Sequence, residues 1–233
     1  MSKRVLIIGG AIDRERYHPF DHWRRLLGSV PSDTAHLPSG EAPPNLDAYT
    51  HLIVTGAETS IVEPQPWYAV EEAVIREAFD RRVPILGSCF GHQMLVRTLS
   101  GAAYVRRAEA PEIGWFPIEA IATDPLLEDF PNPWHAFHVH YDEVASPPAP
   151  WRVLARSAAC SVQVIRYGEL PVWGFQAHPE IDPDRARSLL QTMTPQNSVG
   201  TEAMRAALGQ TPKDDGLAQR IVDRFLESLP PAP

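Results

Sequence analysis

The segment Pro84–Gln93, PILGSCFGHQ, constrains this chain more than any other. A short apolar run ends at Gly87, Cys89 follows at a turn, and helical spacing begins at once with Phe90. A strand that passes into a helix through so tight a turn needs small residues on both sides, because the two backbones approach closely there. Gly87 and Gly91, two before and two after Cys89, meet that need. The helix N-terminus that follows presents unpaired N–H groups and partial positive charge, which favour a thiolate and a developing oxyanion. Read alone, the segment favours chemistry, with a buried structural cysteine between two glycines as the alternative, since free cysteine is among the most buried residue types.

The rest of the first half agrees with a strand that feeds a helix. Val5–Ile8 reads as a buried strand, Asp21–Leu27 as a helix, His51–Thr55 as a strand and Trp67–Asp80 as a helix with Val70, Val74, Ile75 and Phe79 in helical spacing. Val83–Gly87 and Phe90–Leu99 repeat the alternation, which argues for a parallel sheet with helices on both faces. The second half is different. Gly114–Ile121, Ala136–His140, Val153–Arg156, Val162–Tyr167 and Val172–Ala177 are short β-type runs separated by Pro, Gly, Asn or Asp, as in hairpins at a sheet edge. Asp182–Met193, Gly200–Leu208 and Gly216–Leu229 are helical, with breaks at Pro195 and Pro212. The expectation is a three-layer, flavodoxin-like α/β open sheet: a mostly parallel core, helices on both faces and some antiparallel edge strands. One domain over residues 1–233 is expected, with a helical tail from about 194.

Composition removes several function classes. The formal charge is −8, and the basic clusters Arg14–Arg16, Arg24-Arg25, Arg81-Arg82 and Arg106-Arg107 are short and broken by acids, so they read as solvated helix faces rather than a nucleic-acid footprint. No apolar run approaches the about 18–20 residues of a membrane span. The run Val5–Ile8 stops at Gly9-Gly10, too short for the core of a secretory signal, so a cytoplasmic protein is expected. Cys89 and Cys160 form no CxxC pair and no disulfide framework, and Cys160 reads as core. LIIGGAIDRE lacks G-x-G-x-x-G spacing and G-x-x-x-x-G-K-[ST] is absent, so neither a dinucleotide site nor an ATP site is expected, and no cofactor is assigned.

A partner for Cys89 comes in WGFQAHPE, Trp173–Glu180. Residues two apart in extended chain project to one side, and Pro179 biases His178 toward that conformation. His178 and Glu180 therefore face the same way, as a base and the carboxylate that orients it, which is what a thiol nucleophile needs.

Together, GSCFGHQ and GFQAHPE resemble the class I glutamine amidotransferases, whose pattern is G-x-C-x-G-x-Q followed downstream by H-P-E. The resemblance extends over most of residues 3–193 and touches the stand-alone GMP-synthase-glutaminase-like and γ-glutamyl-hydrolase-like members. VTGAETS (Val54–Ser60) sits where the family carries its oxyanion loop, and EIGWFPI (Glu112–Ile118) and HVHYDEV (His138–Val144) resemble segments of stand-alone members. The resemblance implies hydrolysis of the side-chain amide of glutamine, or of a γ-glutamyl amide, through a γ-glutamyl thioester. It implies Cys89 as nucleophile, His178 as general base and then acid, Glu180 as orienter, and the Gly56 and Phe90 N–H groups as oxyanion hole. Gln93 falls at the glutamine-contacting position, though an ordinary polar helix residue reads the same.

The chain departs from the pattern at Gly56-Ala57-Glu58, where many members have Gly-Gly-Pro or Gly-Ser. Glu58 is expected either to face solvent or to contact a substrate amino group. His140 and Asp142 match a His-x-Asp of related stand-alone proteins, and read as pocket residues or as a structural pair. His138 and His140 alternate as metal ligands do, but no third ligand is evident in the sequence, so no metal is assigned. Since 233 residues leave no room for a synthetase, ammonia transfer implies a partner chain; a free-standing γ-glutamyl hydrolase is the alternative, and an idle binding protein on the same fold a more distant one.

Overall fold

The computed structural model describes residues 2–193 and 201–228. Five strands are parallel. β1 (Val5–Gly9) lies between β2 (Ser32–His36) and β3 (His51–Val54), β3 pairs with β4 (Ile85–Ser88), and β4 with β9 (Val172–Phe175). The sheet continues antiparallel through β8 (Val164–Tyr167), β7 (Trp151–Arg156), β5 (Val105–Ala120) and β6 (Trp134–Val144), giving the order β2-β1-β3-β4-β9-β8-β7-β5-β6.

The period-two alternation of the parallel strands sorts their side chains into two cores. Leu6, Ile8, Leu52, Val54 and Ile85 pack under α2 (Tyr68–Asp80) and α3 (Phe90–Ser100). Val5, Ile7, Ile53 and Leu86 pack under α1 (Pro19–Leu27) and α6 (Ala218–Glu227). Strands buried on both faces read as continuous apolar runs, which is why β1, β3 and β4 are plain in the sequence. A third core joins Ile113, Trp115 and Phe137 of the β5–β6 hairpin to Ala186, Leu189 and Leu190 of α4 (Pro183–Met193) and Met204 and Ala207 of α5 (Thr201–Gly209). The three-layer arrangement expected from the sequence is present, with a larger antiparallel extension than short edge segments suggest.

The differences have local causes. β2, SDTAH, escapes a search for apolar runs because it is an edge strand with a mostly half-buried pattern; Asp33 faces outward to bond Arg4 and Tyr49. β5 begins at Val105, earlier than Gly114, because the charged stretch between Arg107 and Glu112 crosses a register break and still rejoins the ladder. α1 starts at Pro19, whose fixed φ suits a first turn. In the tail, α5 covers the β5–β6 hairpin and α6 completes the core beside α1. The break expected at Pro195, and the start of the tail near 194, lie outside the described residues.

Candidate active site

Parallel pairing of β4 with β9 brings together residues far apart in sequence: Gly87 is opposite Gly174, and Ser88 opposite Phe175. The chain leaves β4 at Cys89 and leaves β9 toward His178, and β3 on the other side of β4 ends at Thr55-Gly56. All three exits lie at the carboxyl edge of the parallel strands, where open α/β sheets form their ligand clefts.

Cys89 turns the chain at φ 47° and ψ −108°. A residue with a Cβ holds such a backbone only where its surroundings enforce it. Here its N–H donates to the Phe175 carbonyl at 2.7 Å, and its carbonyl accepts from Gln93 N–H at 3.1 Å. The flanking glycines are required by contact: a Cβ on Gly87 would stand 2.8 Å from the Gly91 carbonyl, and one on Gly91 2.1 Å from the Val54 carbonyl oxygen. Cys89 Sγ lies 3.7 Å from the Val139 carbonyl oxygen and 3.8 Å from Gln176 Nε2, at the wall of a cavity of about 380 Å³.

His178 Nδ1 is 2.8 Å from Glu180 Oε1, and the same oxygen accepts from Ser88 Oγ at 3.1 Å. The segment is pinned by its backbone, with His178 N–H donating to the Phe137 carbonyl at 2.8 Å and Arg25 donating to the Glu180 carbonyl at 3.2 Å. Burial alone would push the His178 imidazole down; the negative charges of Cys89 and Glu180, with their hydrogen bonds, outweigh it and raise it to about 10. Tyr17 stands edge-on to the His178 ring at 6.3 Å. Its hydroxyl is pushed well above the ordinary tyrosine value by burial and then by Glu180, Cys89 and Glu58.

Gly56 fits between these groups because it has no side chain. A Cβ there would be 2.8 Å from Tyr17 Oη, 2.9 Å from His178 Cε1 and 3.7 Å from Cys89 Cβ. Phe90 is the first residue of α3, where N–H groups have no intrahelical partner.

The remaining residues singled out in the sequence reach the same cavity by different means. Glu58 lines it half-buried and accepts from Ile12 N–H at 2.8 Å, so it ties the loop after β3 to the loop after β1; burial raises its carboxyl. Gln93 is buried, and its Nε2 donates to the Asp142 carbonyl at 2.7 Å and to Gln176 Oε1 at 3.1 Å. The Asp142 carboxylate accepts from Ser60 Oγ at 2.7 Å and Ile61 N–H at 3.0 Å, and pairs with Arg107 at 3.2 Å. His140 does not touch that carboxylate: its Nδ1 meets the Asp142 carbonyl oxygen at 3.0 Å, and its Nε2 meets Glu112 Oε2 at 3.0 Å.

Glu112 is the neighbour that the sequence did not show for His138 and His140. The β5–β6 register sets it directly opposite His140, with Gly114 opposite His138. Burial drives the Glu112 carboxyl up, and its contacts with His140, His138 and Ser157 more than reverse that, leaving it below the ordinary value. His138 is fully buried, and burial pushes its imidazole down to about 3.

Tyr17, Arg107, Glu112 and Gln176 are the site neighbours that sequence reading passed over. Gln176 sits inside GFQAHPE two residues before His178, so the same period-two argument could have found it. Arg107 reads as half of a solvated basic pair, and Tyr17 lies in a loop without any motif. Cys160 lies apart, buried in the turn ahead of β8, with its Sγ 3.5 Å from the Val162 carbonyl oxygen.

Residues 38–193 match the family described as Glutamine amidotransferase class-I. The chain is 33% identical over 150 residues to the glutamine-hydrolyzing GMP synthase subunit of Saccharolobus solfataricus, covering 64% of this chain and 77% of that protein. It is 34% identical over 110 residues to the protein of the same name from Pyrococcus abyssi, covering 47% of this chain and 57% of that one, so the chain spans little more than half of this relative. The fold is shared with a glutamine amido transferase from Methylobacillus flagellatus, with TM-score 0.79, 22% identity and coverage of 97% of this chain and 95% of that one. It is shared also with a glutamine amidotransferase from Thermotoga maritima, with TM-score 0.75, 22% identity and coverage of 98% and 100%. The matched segment contains Gly56, Cys89, His178 and Glu180, and the chain belongs to the class I glutamine amidotransferase family.

Proposed function

We propose that this chain hydrolyses the side-chain amide of glutamine through a γ-glutamyl thioester on Cys89 and delivers the ammonia to a synthetase on a separate chain. The observation that carries the reading is the cysteine held at a strained elbow beside an imidazole clamped to a buried carboxylate at 2.8 Å.

In this reading the Cys89 sulfur attacks the amide carbonyl carbon, and the carbonyl electrons move onto oxygen. The Gly56 and Phe90 N–H groups receive that oxyanion, a role worth about 100- to 1,000-fold in rate for a single donor. His178, held protonated by its neighbours, gives its proton to the departing nitrogen as the C–N bond breaks. It then takes a proton from water, whose oxygen attacks the thioester; the C–S bond breaks, and glutamate leaves. Glutamine and water are consumed, and glutamate and ammonia are formed. Glu180 keeps the ring oriented throughout.

Gln93, Glu58, His140 and Asp142 are assigned to substrate binding in two ways. Glu58, at the cavity wall, suits the substrate's ammonium group. Gln93 spends Nε2 on Asp142 and Gln176, so its carbonyl oxygen is what it offers a ligand. His140 and Asp142 act behind it, through the Asp142 carbonyl that receives both Gln93 and His140.

The relatives named as glutamine-hydrolyzing subunits of GMP synthase support a separate synthetase as partner. No helix among the described residues is long and apolar enough to cross a membrane, and both cysteines are free thiols, which suits a reducing cytoplasmic compartment.

Trapping tests the chemistry. Incubation with an electrophilic glutamine analogue followed by mass spectrometry is expected to place one adduct on Cys89 and none in the Cys89→Ala protein. Labelling that persists in that variant would overturn the assignment. Full turnover of γ-glutamyl amines by the chain alone, with no gain from a synthetase, would replace ammonia transfer by free-standing γ-glutamyl hydrolysis.

A further inference from the structure

Behind the cavity, the β5–β6 hairpin buries Glu112, His138 and His140 with one ligand-type atom of each within 4.8 Å of the others. We propose that this cluster is a binding site for one borderline divalent cation of the zinc type, bracing the hairpin beneath the substrate pocket.

The first argument is the hydrogen-bond arithmetic of His140. Its Nδ1 faces the Asp142 carbonyl oxygen at 3.0 Å, and a carbonyl can only accept, so Nδ1 carries a hydrogen. Nε2 then turns a lone pair toward Glu112 Oε2, also 3.0 Å away. That carboxylate already accepts from Gln163 Nε2 and Ser157 Oγ, each at 2.6 Å. Two acceptors at this distance require something positive between them, either a second proton or a metal ion.

His138 separates the two possibilities. It is fully buried, Nδ1 lies 3.9 Å from the same Glu112 oxygen, and neither ring nitrogen has a hydrogen-bond partner among the described residues. A proton shared by His140 and Glu112 leaves that imidazole unsatisfied in the interior, which is unfavourable. A cation uses it. Ligand bonds of about 2.0–2.2 Å in a tetrahedron put neighbouring ligand atoms roughly 3.4 Å apart. The observed 3.0 and 3.9 Å from Glu112 Oε2 bracket that spacing, and the three ligand atoms all lie within 4.8 Å of one another.

The surroundings are those of a metal site. His140 donates its far N–H to a backbone carbonyl, and Glu112 is fixed by Gln163 and Ser157, the outer-shell pattern that orients imidazole and carboxylate ligands. Two imidazoles and a carboxylate suit zinc or a similar ion better than magnesium or calcium. Ser157, which donates to Glu112, also lines an open cleft together with the ion pairs Arg106–Glu143 and Arg156–Glu119.

Zn²⁺ titration of the chelator-stripped full chain, by calorimetry and in competition with a chromophoric chelator, tests the site. It is run in parallel on the Cys89→Ala protein, so that the cysteine and His178 cannot take the ion. One equivalent is expected in both. His138→Phe and Glu112→Gln are each expected to weaken binding on the order of 100-fold or more, and Cys160→Ala to leave it unchanged. The His138 ring has no hydrogen bond among the described residues to lose, so His138→Phe decides the matter should Glu112→Gln not fold. Absence of a stoichiometric ion, or equal affinity in a folded His138→Phe protein, would overturn the site. The Co²⁺-loaded Cys89→Ala protein gives a second reading: four-coordinate d–d bands without thiolate charge transfer support the cluster, and a single equivalent bound with a thiolate band excludes it.

Discussion

Glu180 Oε1 is shared by His178 Nδ1 at 2.8 Å and Ser88 Oγ at 3.1 Å, so the carboxylate beside the imidazole is itself held from the last residue of the strand that leads into Cys89. Burial opposes a charged His178, and Cys89 and Glu180 reverse the balance, to about 10. The charged ring is therefore present below that value and lost as pH rises through it. The stability it adds is complete below the ordinary 6.5 and disappears over the same rise. Glu180→Gln removes one of the two anions. The alkaline limb of kcat/KM is expected to move to lower pH, toward neutrality, alongside a fall in kcat. An unmoved limb in a pH-rate profile would show that Glu180 does not set the charge on His178.

Alanine at Gly56, in the loop after β3, and at Gly91, in the first turn of α3, separates chemistry from folding. In Gly56→Ala the new Cβ meets side-chain atoms, Tyr17 Oη at 2.8 Å and His178 Cε1 at 2.9 Å, which shift at the cost of the proposed oxyanion geometry. The expected loss is about 100- to 1,000-fold in kcat with little change in Tm. In Gly91→Ala the Cβ meets the Val54 carbonyl oxygen at 2.1 Å, and backbone has nowhere to go. That variant is expected to unfold at markedly lower denaturant. Thermal melts beside steady-state kinetics tell the two patterns apart.

How much of this was legible in the sequence depends on whether a residue acts through local geometry or through contacts made by the fold. The elbow at Cys89 and the His178–Glu180 pair were readable because two-residue alternation and tight-turn sterics are local rules, and the structure brings these residues to one edge of the sheet. The apolar strands β1, β3 and β4 were readable for the same reason. β2 was not, since an edge strand with Asp33 facing solvent carries no apolar signal. Glu112 was invisible as a neighbour of His140 because 28 residues separate them, and only the ladder sets them opposite each other. His140 and Asp142 were readable as a pair but not in their manner of contact, which runs through a backbone carbonyl.

Asp142 tests that loop anchoring. Its carboxylate holds Ser60 Oγ, Ile61 N–H and Arg107 at once, from a position almost fully buried. Asp142→Asn leaves one oxygen for three donors and turns an amide toward one of them. The expected cost is about 1–3 kcal/mol in denaturant unfolding, with a rise in KM as the loop carrying Glu58 loosens. Ser60→Ala made in the Asp142→Asn background should add less than it does in the unaltered chain, since the two share one hydrogen bond. Full additivity in that double-mutant cycle would break the link.

Glu71 gives a prediction independent of the site. It sits on α2 with no solvent exposure, and neither carboxylate oxygen has a hydrogen-bond partner among the described residues. Burial raises its carboxyl from the ordinary 4.5 to about 8, with Glu72 adding to the shift. Below 4.5 the folded and unfolded chains are both protonated there, and Glu71 costs nothing through ionisation. Between the two values the unfolded chain ionises while the folded one does not, so stability falls as pH rises, at about 1.4 kcal/mol per pH unit at most. Glu71→Gln keeps the shape of the protonated acid and removes the ionisation. Its advantage over the unaltered chain should be near zero at the acid end and reach a few kcal/mol at pH about 8. Urea unfolding of both proteins across that range measures the difference directly, and a gap that does not widen with pH would mean that Glu71 finds water or a cation in the folded state.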